Sequence, residues 1–274
     1  MPKGVLYLVP TPIGNLGDMT YRAVEILKNA DLIAAEDTRT SLKLLNHYEI
    51  RNKLVSYHKF NESKQTKALL DLLEQGKSIA LITDAGTPGI SDPASILVKA
   101  AIDSNINVSC LPGATALIPA LAASGLDTEK FTFAGFLPTR KKERTALLNS
   151  LKELPHTLIL YESSHRIIDT LRELQAYFPD RRFVLARELS KLYETFYRCS
   201  FADLSQINDL ETRGEFVLLI EGGVKADISD EQLVVMIKDQ SPELTIKELV
   251  DTISRYTGVS RNRIYKLALE LRNQ

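Results

Sequence analysis

Two aspartates, two glycines and two prolines fall within the ten residues from Asp84 to Pro93. Carboxylates can accept hydrogen bonds from a cationic or hydroxylated ligand. Glycine lets backbone approach closely, and proline stiffens the chain and removes an N–H donor. The run follows an apolar stretch, Ser78–Ile82, and leads into a segment with helical spacing, Ala94–Asp103. It therefore sits at a strand's carboxyl end, where ligands bind in open α/β sheets. A plain strand-to-helix connection needs one turn residue and a cap. Ten residues of this make-up point to a cradle instead.

Similar clusters follow other apolar runs, and each has a plainer reading beside the functional one. Pro10–Asp18 offers stiff walls with exposed backbone, with Asn15 or Asp18 as a helix cap in the plainer reading. Glu36–Ser41 brings two carboxylates and Arg39 together, although Asp37 or Thr38 could simply cap a helix. Arg140, Lys141, Lys142 and Arg144 could be a solvated helix face with Thr139 as its cap. At the mouth of a cleft they would grip phosphates. Tyr161–Arg166, including His165, and Arg187–Lys191 add two more polar clusters at strand ends, converging on one edge.

The elements that position these clusters are short apolar runs: Val5–Val9, Leu32–Ala35, Ser78–Ile82, Val108–Leu111, Phe131–Phe136, Thr157–Tyr161, Phe183–Ala186 and Phe216–Ile220. Helical spacing predicts helices over Tyr21–Asn29, Thr66–Gln75, Ala94–Asp103, Ala116–Ala123, Arg144–Leu154, Arg166–Tyr177 and Ala202–Leu210. Strands alternating with helices predict α/β architecture with mainly parallel sheets. Unbroken apolar strands predict sheets covered on both faces. The seam between two α/β halves is expected at Leu111–Thr115, giving domains of 1–112 and 113–224.

After Gly222-Gly223 the pattern turns wholly helical, with capping-box signatures at Ser229/Gln232 and Thr245/Glu248. Helices over Leu244–Tyr256 and Arg261–Leu271, joined by a turn at Thr257–Ser260, make 225–274 a helix–turn–helix-like tail. Its last stretch, from Thr252, carries Arg255, Arg261, Arg263, Lys266 and Arg272 against Glu270 alone. The whole chain of 274 residues has a net charge of −1, so a nucleic-acid partner would have to be met by local basic patches.

Several chemistries are excluded. There is no G-x-G-x-x-G fingerprint, P-loop or G-x-S-x-G elbow. The four histidines show no zinc spacing, so no metal is expected. Cys110 and Cys199 are read as reduced, packed thiols. No apolar run reaches the about 18 residues needed to span a bilayer, and no signal peptide opens the chain, so a cytoplasmic location is expected.

Taken in order, Pro10–Leu16, Glu36–Ser41, Asp84–Pro93, Pro112–Thr115, Gly135–Arg140, Glu162–Arg166, Arg187–Lys191 and Gly214–Phe216 resemble the tetrapyrrole methylase superfamily. Within it the chain is similar to the bacterial branch that methylates a cytidine ribose 2′-hydroxyl in the decoding centre of 16S ribosomal RNA. The resemblance implies two α/β domains, S-adenosyl-L-methionine in the cleft between them, and a homodimer. It carries the cofactor pocket over to Pro12, Asp84, Ala85, Gly86, Thr87, Pro88, Ile90, Asp92, Thr115, Ala116, Phe136, Leu189 and Glu215. Asn15, Arg39, Arg140, Lys141, Lys142, His165 and Arg166 would meet RNA near the cleft, within the 30S subunit. Arg261, Arg263 and Lys266 would hold a more distant segment.

The reaction implied is an in-line methyl transfer, in which alignment of the reactants does much of the work. A ribose hydroxyl also needs a proton acceptor or a charge-stabilising group. Asp37, Asp84, Glu188 and Lys191 are the candidates, Lys191 acting as a base only if its pKa falls. Porphyrin-modifying members have Gly-Gly-Asp-Pro where this chain has Ala85-Gly86-Thr87-Pro88, and Ala94 stands where glycine is common. The first departure argues against the nearest alternative, methylation of a small tetrapyrrole. A non-enzymatic nucleic-acid binder, the other alternative, leaves the Pro/Gly loops without a use.

Overall fold

The apolar runs Val5–Leu8, Leu32–Ala35 and Ile79–Ile82 become β1, β2 and β4 of a five-stranded parallel sheet. Strands β3 (Leu54–Ser56) and β5 (Asn107–Cys110) form its edges, in the order β3-β2-β4-β1-β5. The structure is a computed structural model and describes residues 2–223, 229–239, 244–257 and 259–272. Successive side chains of a strand point to opposite faces. Ile79 and Leu81 therefore pack with α3 (Glu62–Glu74) and α4 (Ser95–Asp103), while Ala80 and Ile82 pack with α1 (Tyr21–Asn29) and α2 (Thr38–His47). Both faces are covered, which is why these strands read as unbroken apolar runs.

The connections place the site. Chain leaves β1 for α1 on one face and leaves β4 for α4 on the other, yet β1 and β4 are neighbours. That divergence is the topological switch point, where a crevice opens beyond the carboxyl ends of the strands.

A second sheet contains β6 (Phe131–Phe136), β7 (Thr157–Ser163), β8 (Arg182–Arg187), β9 (Thr195–Ser200) and β10 (Glu215–Ile220), in the order β6-β7-β10-β8-β9. Helix α5 (Leu117–Ser124) covers one face, packing Leu117, Ala120 and Leu121 on Ile159, Val184 and Val217. Helices α6 (Lys141–Lys152) and α7 (Ile167–Tyr177) bury Leu148, Leu171 and Leu174. Five of the eight strand pairings in the two sheets are parallel. The antiparallel ones all involve β8 or β10, so the amino end of β10 lies beside the carboxyl ends of β7 and β8.

Four local features differ from the expectations. Strands β3 and β9 lack an apolar run: one is three residues long, and both are half-buried edges. The stretch 202–210 forms only a short 3₁₀ turn, Ser205–Asp209, because Leu204, Ile207 and Leu210 recur every three residues. Thr20 caps α1, while Asn15 caps a 3₁₀ turn at Leu16–Asp18. Both cysteines are free, but Cys110 is exposed and Cys199 half-buried because each lies on an edge strand.

Residues Met1–Lys152 with His156–Glu221 form one compact unit, and Glu153–Pro155 with Gly222–Gln274 form another. The second contains α8 (Asp230–Lys238), α9 (Ile246–Thr257) and α10 (Arg261–Arg272) around Leu233, Leu249, Ile253, Ile264 and Ala268. Both expected capping boxes form, Ser229 with Gln232 and Thr245 with Glu248. Gly258, of the expected turn, lies outside the described residues. Among the described residues, no helix is long and apolar enough to cross a membrane.

Candidate functional site

At the switch point the loops after β1 and β4 are tied together. Thr11 and Gly86 exchange backbone hydrogen bonds of 2.9 Å in each direction. The buried Thr11 hydroxyl donates to the Thr83 carbonyl at 3.0 Å, and the Thr87 hydroxyl donates to Ala114 O at 2.9 Å. Gly86 has φ +84°, a left-handed conformation that a side chain would strain. The cradle is thus fixed by its own backbone.

These loops wall a cavity of about 400 Å³. Ile13, Glu36, Asp84, Ala85, Gly86, Thr87, Ile90, Ser91 and Asp92 line it from the first sheet's side. Thr115, Ala116, Phe136, Tyr161, Glu162, Ser163, Leu189, Glu215, Phe216 and Val217 line it from the second. Eleven of the thirteen residues expected to hold a cofactor are in this wall. Pro88 is instead buried inside the loop, and Pro12 lines an adjoining cavity of about 280 Å³ with Thr40, Ser41 and Lys43. Asp84 is the residue the two cavities share.

Sequence reasoning did not assign Ile13, Glu36, Ser91, Tyr161, Glu162, Ser163, Phe216 and Val217 to the cofactor, although all but Val217 fall within the clusters and motifs it marked. Phe216 and Val217 enter because antiparallel β10 sets them opposite Glu162 and Tyr161. Nothing in the local pattern announces that register. Glu36 was marked as one of the two carboxylates of the Glu36–Ser41 cluster, without a role toward the cofactor.

The wall is acidic. Burial raises the pKa of Glu36, with Asp84 and Asp37 adding to the rise. Asp84 is raised by burial and by Asp37. Burial and the nearby charges of Glu36 and Asp84 push Asp92 up to about 7. The Asp84 carboxylate accepts the Asp37 N–H at 3.2 Å. Opposite, Phe136 and Tyr161 meet edge to face at 5.6 Å, making an aromatic wall. Burial raises the Tyr161 hydroxyl's pKa, and that hydroxyl is hydrogen-bonded with Thr115.

Asp37, Glu188 and Lys191 occupy distinct settings. Asp37 caps α2, and both its oxygens are held by Arg39, at 2.8 Å from the backbone N–H and 2.8 Å from the guanidinium. That pairing lowers its pKa to about 2 and makes it a poor proton acceptor. Lys191 Nζ donates to Glu188 Oε1 at 2.9 Å and to Glu215 Oε2 at 2.8 Å. Burial works against the ammonium, but the two carboxylates outweigh it and hold Lys191 above its ordinary pKa. The fall needed for a lysine base is absent, so Lys191 is a cation here. Burial likewise works against the Glu188 carboxylate, but Lys191 and the Glu215 N–H hold it below its usual range. Glu188 has φ +52° and folds back to accept that N–H at 3.0 Å. Gly214 leaves the space, since a Cβ there would come within 2.7 Å of Glu188 Oε1.

The residues expected to meet RNA divide. Arg39, Lys141, Lys142 and His165 are exposed, and Arg140 is exposed while pairing with Glu143 at 3.1 Å. Asn15 is exposed and accepts the Gly17 N–H. Arg166 is drawn inward: it donates to the Leu137 carbonyl at 3.0 Å and lies 3.5 Å from buried Glu162. In the helical unit Arg261 pairs with Asp251, Arg263 pairs with Asp230 at 2.8 Å, and Lys266 is exposed.

Comparison with known proteins accords with this architecture. The chain is 46% identical over 274 residues to "Ribosomal RNA small subunit methyltransferase I" of Synechocystis sp., covering 98% of each. It is 44% identical to the protein of the same name from Haemophilus influenzae, over 97% of this chain and 96% of that one. Among solved structures, a uroporphyrin-III C-methyltransferase from Thermus thermophilus complexed with S-adenyl homocysteine superposes with TM-score 0.56. That match covers 80% of this chain and 97% of the other at 18% identity, a likeness of fold. The family model for tetrapyrrole (corrin/porphyrin) methylases matches residues 5–205. With most of its length matched, and its cleft at the switch point of the first sheet, the chain belongs to the tetrapyrrole (corrin/porphyrin) methylase family.

Proposed function

We propose that this chain is an S-adenosylmethionine-dependent methyltransferase of small-subunit ribosomal RNA, acting on a cytidine ribose 2′-hydroxyl. The observation that carries this reading is full-length similarity, at 44–46% identity, to proteins named for small-subunit ribosomal RNA methylation. The cytidine 2′-hydroxyl rests on the resemblance of the ordered motifs. The proposal extends to a homodimer working in the cytoplasm on the 30S subunit.

The cavity's donor set fits the methyl donor. Carboxylates at Glu36, Asp84 and Asp92 offset a cationic centre, and Phe136 with Tyr161 offers an aromatic wall to a purine. The rigid Thr11–Gly86 bridge removes the cost of ordering that loop on binding. When bound, S-adenosylmethionine supplies a methyl group on a positively charged sulfur. The chain's part is alignment and proton handling. Asp84, at the boundary of the two cavities, takes the proton from the acceptor hydroxyl, its raised pKa bringing it toward the working range. Lys191, Glu188 and Glu215 fix the geometry of the opposite wall.

The test is transfer of a labelled methyl group to 30S subunits from an unmodified strain, followed by mapping of the product. Label on one cytidine ribose is expected. Label on a tetrapyrrole alone would overturn the reading.

A further inference from the structure

Phe60 is 95% exposed. A single exposed apolar side chain is ordinary on a protein surface, so exposure alone says little. Three other observations give this one meaning.

First, the ring stands on a fastened loop. Between β3 and α3, the Asn61 side chain accepts the His58 N–H at 2.8 Å and donates to the Ser56 carbonyl at 3.2 Å. The Phe60 N–H donates to His58 Nδ1 at 3.2 Å, and the two rings meet edge to face at 6.1 Å. The loop holds the ring out in solvent instead of folding it back.

Second, the lysines near it in sequence are uncommitted. Lys59, Lys64 and Lys67 are exposed and, among the described residues, make no ion pair. Arg39, Arg140 and Arg166 each face a carboxylate. Lys64 and Lys67, three apart on α3, share a helix face.

Third, the loop adjoins the cleft. The Tyr57 N–H donates to the Ala35 carbonyl at 2.7 Å, so the exit of β3 lies against the exit of β2, immediately before the wall residue Glu36.

An exposed aromatic ring with unpaired lysines nearby in the chain matches the chemistry that binds single-stranded nucleic acid: stacking holds a base and the cations hold the backbone. We propose that Phe60, with Lys59, Lys64 and Lys67, is a stacking platform for an unpaired base of the ribosomal RNA substrate, holding the strand beside the cleft. This rests on the reading of the chain as a ribosomal RNA methyltransferase. The aromatic ring supplies affinity without base choice, and the lysines supply the salt-sensitive share of binding.

The experiment is steady-state methyl transfer to unmodified 30S subunits by full-length variants, with donor affinity measured by calorimetry. Phe60→Ala should raise KM for the subunit by about 5- to 100-fold, the range expected for one stacked base, with kcat and donor affinity unchanged. Phe60→Trp should restore the wild-type KM, whereas Phe60→Leu, apolar but without a π-face, should not. Replacing Lys59, Lys64 and Lys67 by Gln should flatten the dependence of KM on salt. A wild-type KM in Phe60→Ala, or full rescue by Phe60→Leu, overturns the platform. So does a changed oligomeric state in sedimentation with KM unmoved, which would make the ring a protein contact. Failure of the wild-type chain to methylate the subunit at all instead defeats the functional reading on which the platform rests.

Discussion

Lys191 crosses directly over Gly14: a Cβ built on Gly14 would lie within 2.7 Å of Lys191 Cε. The crossing joins the loop after β1 to the turn after β8, and its ammonium then reaches Glu188 and Glu215. Gly14 has φ +155°, at the margin of what other residues adopt, so the position requires both glycine's conformation and its lack of a side chain.

Gly14→Ala should therefore displace Lys191 from its two carboxylates. Methyl transfer should fall by about 100-fold, the scale of a misplaced reacting group. The thermal midpoint should drop by several degrees as backbone strain of about 1–3 kcal/mol is taken up. Lys191→Met keeps the stem but leaves Glu188 and Glu215 without their cation. It should reduce transfer while the fold, followed by circular dichroism, persists. Wild-type kinetics in both variants would remove the crossing from the mechanism.

Gly86 and Asp84 separate two functions of one loop. Gly86→Val should abolish donor binding in calorimetry with the fold preserved, because its φ of +84° suits no β-branched residue and the Thr11 bridge depends on it. Asp84→Asn keeps shape and removes the proton acceptor. It should lower kcat by about 100- to 10,000-fold with a smaller change in donor affinity. Loss of donor binding alone in Asp84→Asn would assign that carboxylate to holding the donor.

The cleft was legible because its most informative loop is local: Asp84–Pro93 carries its own turn residues and follows a strand that the apolar pattern marks. Most of the first sheet was legible for the same reason, since buried parallel strands leave unbroken runs. Edge strand β9 and the antiparallel entry of β10 were not, because register depends on partners distant in sequence. Tyr161 and Phe216 were thus marked only within the Tyr161–Arg166 cluster and the Gly214–Phe216 motif, whereas Phe136 was anticipated in the pocket. Arg166 had the right residue type at a strand end, but its guanidinium is turned toward Glu162 and the Leu137 carbonyl. A sequence shows a charge; it does not show which way the side chain turns.

Asp92 makes stability depend on pH. Its pKa rises from 3.8 to about 7 on folding, so between these values the folded chain binds more protons than the unfolded one. Stability of the ligand-free protein should therefore decrease as pH rises through that window. Thermal midpoints measured from pH 4 to 8 should show the decline, and Asp92→Asn should flatten it. A cationic ligand favours the ionised form, so donor affinity should increase as pH rises through about 7, and Asp92→Asn should remove that dependence too. A flat midpoint profile in the wild-type chain would refute the assignment.

The helical unit should be separable in function from the cleft. Its core of Leu233, Leu249, Ile253, Ile264 and Ala268 is built from its own helices, and the donor cavity is lined wholly from residues 13–217. Deleting residues 226–274 should leave donor affinity in calorimetry within about twofold while RNA retention and transfer to 30S subunits fall steeply. Within the unit, Arg263→Ala breaks its pair with Asp230 and should cost about 0.2–1 kcal/mol of the unit's stability. Lys266→Ala should leave stability unchanged and lower RNA retention, with a shallower salt dependence. If the truncated chain lost donor binding together with RNA binding, the two functions would not divide between the units.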